Sequence, residues 1–136
     1  MKKLITMIVC SISFLVLSAC VSKKKLILPE PETISVISIQ KKLSENVKTI
    51  TQREEISKLI KEIQKQSKST TLESFNDQPT NVKDYIIIKF THQNKENDSV
   101  AYLYTMKEKQ YIEQPYAGIW EVNPDIANRI EEFFSS

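Results

Sequence analysis

Residues 85–122 read YIIIKFTHQNKENDSVAYLYTMKEKQYIEQPYAGIWEV. Tyr85 to Phe90 is β-rich and nearly continuously apolar, the pattern of a central strand. The polar run THQNKENDS (91–99) turns the chain, and Val100 to Tyr104 returns as the other arm of a hairpin. MKEKQ (106–110) is a second turn, Tyr111 to Gln114 runs back, and Ile119 to Val122 follows Pro115-Tyr116-Ala117-Gly118 as a further strand segment. These residues set a strand meander, and the rest of the chain is read against it.

Upstream, TISVISIQ (33–40) alternates polar and apolar residues and offers Ile34, Val36, Ile37 and Ile39 to a core, which predicts a strand. Val47 to Ile50 is a second short strand. Thr51 and Glu54 have the spacing of a capping box, in which hydroxyl and carboxylate each take a backbone N–H. Ile56, Leu59, Ile60 and Ile63 then fall on one stripe, with charged residues around the rest of the surface. This predicts a helix over about 52–66. TTLESF (70–75) is open to a strand, and NDQPTN (76–81) is a turn cluster. At the other end Asn123 caps, Pro124 suits the first helical position, and Asp125 favours the positive end of the dipole. Ile126, Ile130, Phe133 and Phe134 supply the buried face of this terminal helix. The order strand, helix, meander, helix predicts an α+β domain: an antiparallel sheet with two helices packed on one face. There is no internal repeat and no second domain in the pattern.

The first nineteen residues are of another kind. Met1-Lys2-Lys3 is a short positive start, and Leu4 to Leu17 is almost wholly apolar, a secretory signal core too short to span a bilayer comfortably. Setting 1–19 aside leaves 117 of the 136 residues, enough for one small domain over 33–136. Lys2 and Lys3 lie in the leader, so 17 of the 19 basic residues remain against 17 acidic ones. That balance gives no argument for nucleic acid. Cys10 falls inside the leader and Cys20 is the single cysteine after it, so an exported chain of this size has no disulfide framework and holds itself by packing.

Leu17-Ser18-Ala19-Cys20 resembles the bacterial lipobox: an aliphatic residue, two small ones at the cut, then cysteine. The resemblance implies cleavage before Cys20 and a diacylglycerol thioether, with palmitate-type chains, on its sulfur. Two acyl chains at ~0.8 kcal/mol per buried methylene make a stable anchor. Lys23-Lys24-Lys25 follow at the lipid surface. Pro29-Glu30-Pro31 stiffens the chain, so residues 20–32 are expected to form a lipidated stalk.

Catalytic sets are sparse. A Ser/His or Cys/His hydrolase needs a base beside its nucleophile, and the single histidine, His92, lies in a polar connection. Gly118 is the sole glycine, which leaves no Gly-rich phosphate loop. His92, Asn94, Glu96 and Asp98 alternate like calcium ligands but lack the turn glycine and the terminal acidic ligand. Asp77 or Asp84 brought beside Glu113 would make a carboxylate pair of the glycosidase kind. The unusual local run is YIEQPYAGIWEV (111–122), with the single Trp, the single Gly and an internal Pro. Its Pro implies an edge, bulge or turn, and Gly118 marks a backbone angle or approach that a Cβ forbids. Tyr102, Tyr104, Tyr111, Tyr116 and Trp120 make either an aromatic contact surface or core beneath a helix. Tyr111, Glu113, Gln114, Tyr116, Gly118 and Trp120 are the candidate binding surface.

With ESFNDQP (73–79), that run resembles an uncharacterised family of small Gram-positive bacterial lipoproteins, a domain of unknown function, over about residues 33–134. The resemblance implies an envelope location and a single domain, and it transfers no catalytic residue. The expectation is a non-enzymatic binding module without cofactor or metal, held by lipid on Cys20 at the outer face of the cell membrane. Its partner would be an envelope protein, a peptide or a wall component. The alternatives are a carboxylate-dependent envelope enzyme and an immunity or protective lipoprotein.

Overall fold

The computed structural model describes residues 23–136. The leader, Leu17 to Ala19 and Cys20 lie outside the described residues. A single 3-10 turn, Pro31–Thr33, leads into β1 (Ile34–Lys41) and β2 (Val47–Ile50). Then come α1 (Arg53–Lys65), β3 (Ser67–Ser69), β4 (Ile86–His92), β5 (Ser99–Met106), β6 (Lys109–Gln114), β7 (Gly118–Val122) and α2 (Pro124–Ser135). The seven strands form one sheet in the order β2-β1-β4-β5-β6-β7-β3. Every neighbouring pair is antiparallel. The fold is α+β, as expected. The edge strands β2 and β3 are short and carry Lys48 and Lys68, devices that blunt strand addition.

Register separates the two faces of the sheet. On one face Ile37, Ile39, Ile88, Phe90, Ala101, Leu103, Ile112, Trp120 and Val122 join Ile56, Leu59, Ile60 and Ile63 of α1 and Ile126, Ala127 and Ile130 of α2 in one buried cluster. Both helices therefore cover the same face, and an Arg129–Glu62 ion pair links them. The other face carries a second cluster around Tyr85, Tyr104, Tyr111 and Ile119.

Three local expectations change. The Thr51–Glu54 capping box does not form: Gln52 is the N-cap, with no side-chain cap bond. Thr51 is thus one residue too early for its hydroxyl to reach the first free amides. At α2 the expected cap is present, with Asn123 accepting from the Asp125 N–H at 2.9 Å. TTLESF is not a strand; pairing ends at Ser69, and residues 70–85 run irregularly over the second face. The stalk is also shorter than expected. Leu26 and Leu28 are 2% and 3% exposed in the main core, with Ile27 between them exposed. Alternation of this kind packs one side of an extended segment, so the domain begins near Lys24 rather than at Thr33. No helix among the described residues is long and apolar enough to cross a membrane.

Candidate functional site

Period-two alternation puts every second residue of each meander strand on the face away from the helices. Ile87, Tyr102, Glu113 and Ile119 lie in one cross-strand row. Tyr104, Tyr111, Glu121 and Lys68 lie in the next. The irregular segment 70–85 is laid over these rows. Ser74 Oγ donates to Glu113 Oε1 at 2.6 Å, and the Tyr104 hydroxyl donates to Oε2 at 2.9 Å. Thr70 Oγ1 donates to the Ile119 carbonyl, and the Tyr85 hydroxyl to Gln78 Oε1 at 3.0 Å. The Tyr85 and Tyr102 rings meet edge to face, 5.2 Å between centroids.

The two distinctive motifs of the sequence therefore meet in space. ESFNDQP supplies Ser74 to Glu113, and its Asp77 lines one groove with Gln114, Pro115 and Ala117. Hydrogen bonding to Asp77 and its negative charge raise the Tyr116 phenol above its ordinary value. Burial, then the charges of Tyr85, Asp77 and Glu113, raise Tyr102. Burial, then the hydrogen bond to Glu113, raise Tyr104.

The β6–β7 connection explains the rest of YIEQPYAGIWEV. Ala117 N–H donates to the Gln114 carbonyl at 3.0 Å, closing a turn with Pro115 second and Tyr116 third. Tyr116 has φ 61°, so the turn has the proline and positive-φ pattern of type II, where glycine is favoured in third place. Tyr116 is 64% exposed. Gly118 is required by close approach: a Cβ there would lie 2.9 Å from Trp120 Cη2.

The aromatic residues, which the sequence left open to surface or core, are thus mostly interior. Trp120 is buried in the main cluster, and Tyr104 and Tyr111 are buried on the second face, because strand alternation turns them onto covered sides. Glu113 and Gly118 are buried too. Of the candidate surface, Tyr116 is exposed and Gln114 is half-buried, its amide donating to the Ile27 carbonyl at 2.8 Å. A shallow groove beside them is lined by Ile27, Val100, Tyr102, Pro115, Asp77 and Asp98. Phe75, 71% exposed, is a contact candidate the sequence reading missed; the signal was an apolar residue inside a polar turn cluster.

Glu113 is bonded to hydroxyls rather than to Asp77 or Asp84, and Asp84 borders another depression. His92 Nε2 lies 2.7 Å from Ser99 Oγ, which ties β4 to β5. Asp98 is 3.8 Å from Lys89, and Asn94 and Glu96 are exposed. Among the described residues no group of three or more His, Cys, Asp or Glu side chains is placed to hold a metal ion.

Comparison with known proteins fits this architecture. An NMR structure of a protein from Ruminococcus gnavus is similar, with 28% sequence identity and a TM-score of 0.60 over 74% of this chain and 97% of that one. No curated protein matches. Residues 22–121 match DUF5301, described as a domain of unknown function (DUF5300). The match covers most of the chain, including both motifs and the packed N-terminal segment, and the chain belongs to this family.

Proposed function

We propose that this chain is a lipid-anchored extracytoplasmic binding module without catalytic activity. The lipobox tetrad at Leu17–Cys20 supports the anchor. The observation that carries the binding role is Tyr116. A bulky aromatic residue occupies a left-handed turn position, which costs about 1–2 kcal/mol for a non-glycine residue, and it remains exposed. Such strain at a surface persists where the residue has a use there. Phe75 is exposed on the facing motif, and the groove beyond is apolar with a carboxylate rim. Glu113 supports the non-enzymatic reading, since each oxygen accepts from a hydroxyl in a covered position. The partner is an envelope protein, peptide or wall component that presents an apolar, positively charged surface.

Two substitutions test this. Cys20→Ser is expected to move the protein from the detergent phase to the aqueous phase or to stop its processing; unchanged partitioning refutes the anchor. Tyr116→Gly is expected to raise stability by about 1 kcal/mol and to abolish crosslinking in intact cells to the partner captured by wild type. A variant that is more stable and still captures that partner removes Tyr116 from the binding surface.

A further inference from the structure

We infer that the anchored domain rests on anionic lipid headgroups through a lysine cluster at the β3 edge. The inference rests on the proposed lipidation of Cys20. Only Val21 and Ser22 separate Cys20 from Lys23, and three residue steps reach at most about 11 Å. Beyond that point the chain is fixed to the domain. Trp120 Nε1 donates to the Lys24 carbonyl at 2.9 Å, and Lys24 Nζ donates to the Ala117 carbonyl at 2.6 Å. Leu26 and Leu28 are buried immediately after. A lipid on Cys20 therefore holds one particular edge of the domain against the bilayer, not a domain on a loose tether.

That edge has the matching charge. Lys23, Lys24, Lys25 and Lys68 of β3 all border a depression backed by Trp120 and rimmed by Ser67 and Ser69. No carboxylate lines it. None of the four lysines is in an ion pair among the described residues. Glu121, opposite Lys68 in the ladder, lies 3.5 Å from Lys109 instead. Ammonium groups and hydroxyls together suit phosphate oxygens. The short reach to Cys20 assigns those oxygens to headgroups rather than to a soluble anion. The reach is close to the screening length of ~10 Å in about 0.1 M salt, so the cluster lies within the field of an anionic surface. Each lysine there multiplies partitioning about fivefold.

The test uses the lipidated protein in vesicles of equimolar phosphatidylglycerol and phosphatidylcholine, and in phosphatidylcholine alone. Lysines are labelled with an amine-reactive reagent and read by mass spectrometry. Lys23, Lys24, Lys25 and Lys68 are expected to label several-fold more slowly in the anionic vesicles, about the fivefold of one lysine contact. Lys107, on the β5–β6 turn at the opposite end of the sheet from Ala117, serves as the unchanged control. About 1 M NaCl, which shortens screening to ~3 Å, is expected to erase the difference. Lys25→Glu with Lys68→Glu should remove protection from Lys23 and Lys24. Equal labelling in the two vesicle types overturns the inference. Equal protection of the detergent-solubilised protein by inorganic phosphate overturns the headgroup assignment. The mass of the N-terminal peptide separates the two claims: a bare Cys20 refutes the anchor, whereas a lipidated chain with equal labelling refutes only the orientation.

Discussion

Glu113 is 5% exposed, and the partners of its two oxygens are neutral hydroxyls, Ser74 from the overlying segment and Tyr104 from β5. Covering a carboxylate is tolerable when its oxygens are hydrogen-bonded and costly when they are not. The substitution series should therefore be graded. Glu113→Ala leaves two covered hydroxyls without their acceptor and is expected to lose about 2–3 kcal/mol in urea denaturation. Glu113→Gln keeps one acceptor and should lose less. Ser74→Ala removes one donor and should lose about 1 kcal/mol. Losses that are equal across the series refute this account of the contact. Tyr104 adds a pH dependence. Burial first, and the Glu113 bond second, raise its folded-state pKa above the ordinary value of 10.0. The unfolded phenol thus ionises first, near pH 10, while the folded one keeps its proton. The unfolded state then binds fewer protons, so stability is complete below about pH 10 and falls as pH rises beyond it. Thermal melts across that range should show the decline, and Tyr104→Phe should make it shallower, with Tyr102 still contributing.

Among the elements, those whose burial follows a regular period were legible and those fixed by distant partners were not. Ile56, Leu59, Ile60 and Ile63 mark α1 at helical spacing, and the apolar runs of β4 and β5 mark the centre of the sheet. Residues 70–85 carry no period because polar contacts to distant strands hold them. Thr70 is 49 residues from Ile119, and Ser74 is 39 from Glu113. Glu113 was legible as a candidate, with a carboxylate neighbour as one alternative, and no local pattern names the Ser74 hydroxyl 39 residues away. The N-terminal segment was hidden in another way. Three lysines and two prolines flank Leu26-Ile27-Leu28, and that composition resembles a tether more than a packed strand. Energetics distinguish the two. Leu28→Ala at 3% exposure should cost about 2–5 kcal/mol, as for a core leucine, whereas in a solvated stalk it would cost almost nothing. Denaturant midpoints of the variant and wild type decide between them.

At the scale of the molecule, the sheet is unequally covered. The helix-bearing face holds the large continuous cluster, while the second face holds a small cluster around Tyr104, Tyr111 and Ile119, with buried Glu113, under the irregular segment 70–85. Attachment through Ser74, Thr70 and Tyr85 is small beside two helices' worth of apolar packing, so the segment should open locally at lower free energy than the whole domain unfolds. Native-state proteolysis reads both events. Trypsin reaches Lys83 when the segment lifts, and reaches Lys89 inside β4 only after global unfolding. Cleavage at Lys83 should depend weakly on urea, because little surface is exposed, and cleavage at Lys89 steeply. Two substitutions sharpen the contrast. Ser74→Ala removes a bond that is lost in both events and should speed both cuts by about fivefold. Ile60→Val weakens only the helix-bearing face, by about 0.5–1.5 kcal/mol, and should speed the Lys89 cut alone. If Ile60→Val accelerates both cuts equally, the segment and the core unfold as one unit. If Lys83 alone stays unchanged, Asp77 and Phe75 ride on an element that can lift while the sheet remains folded.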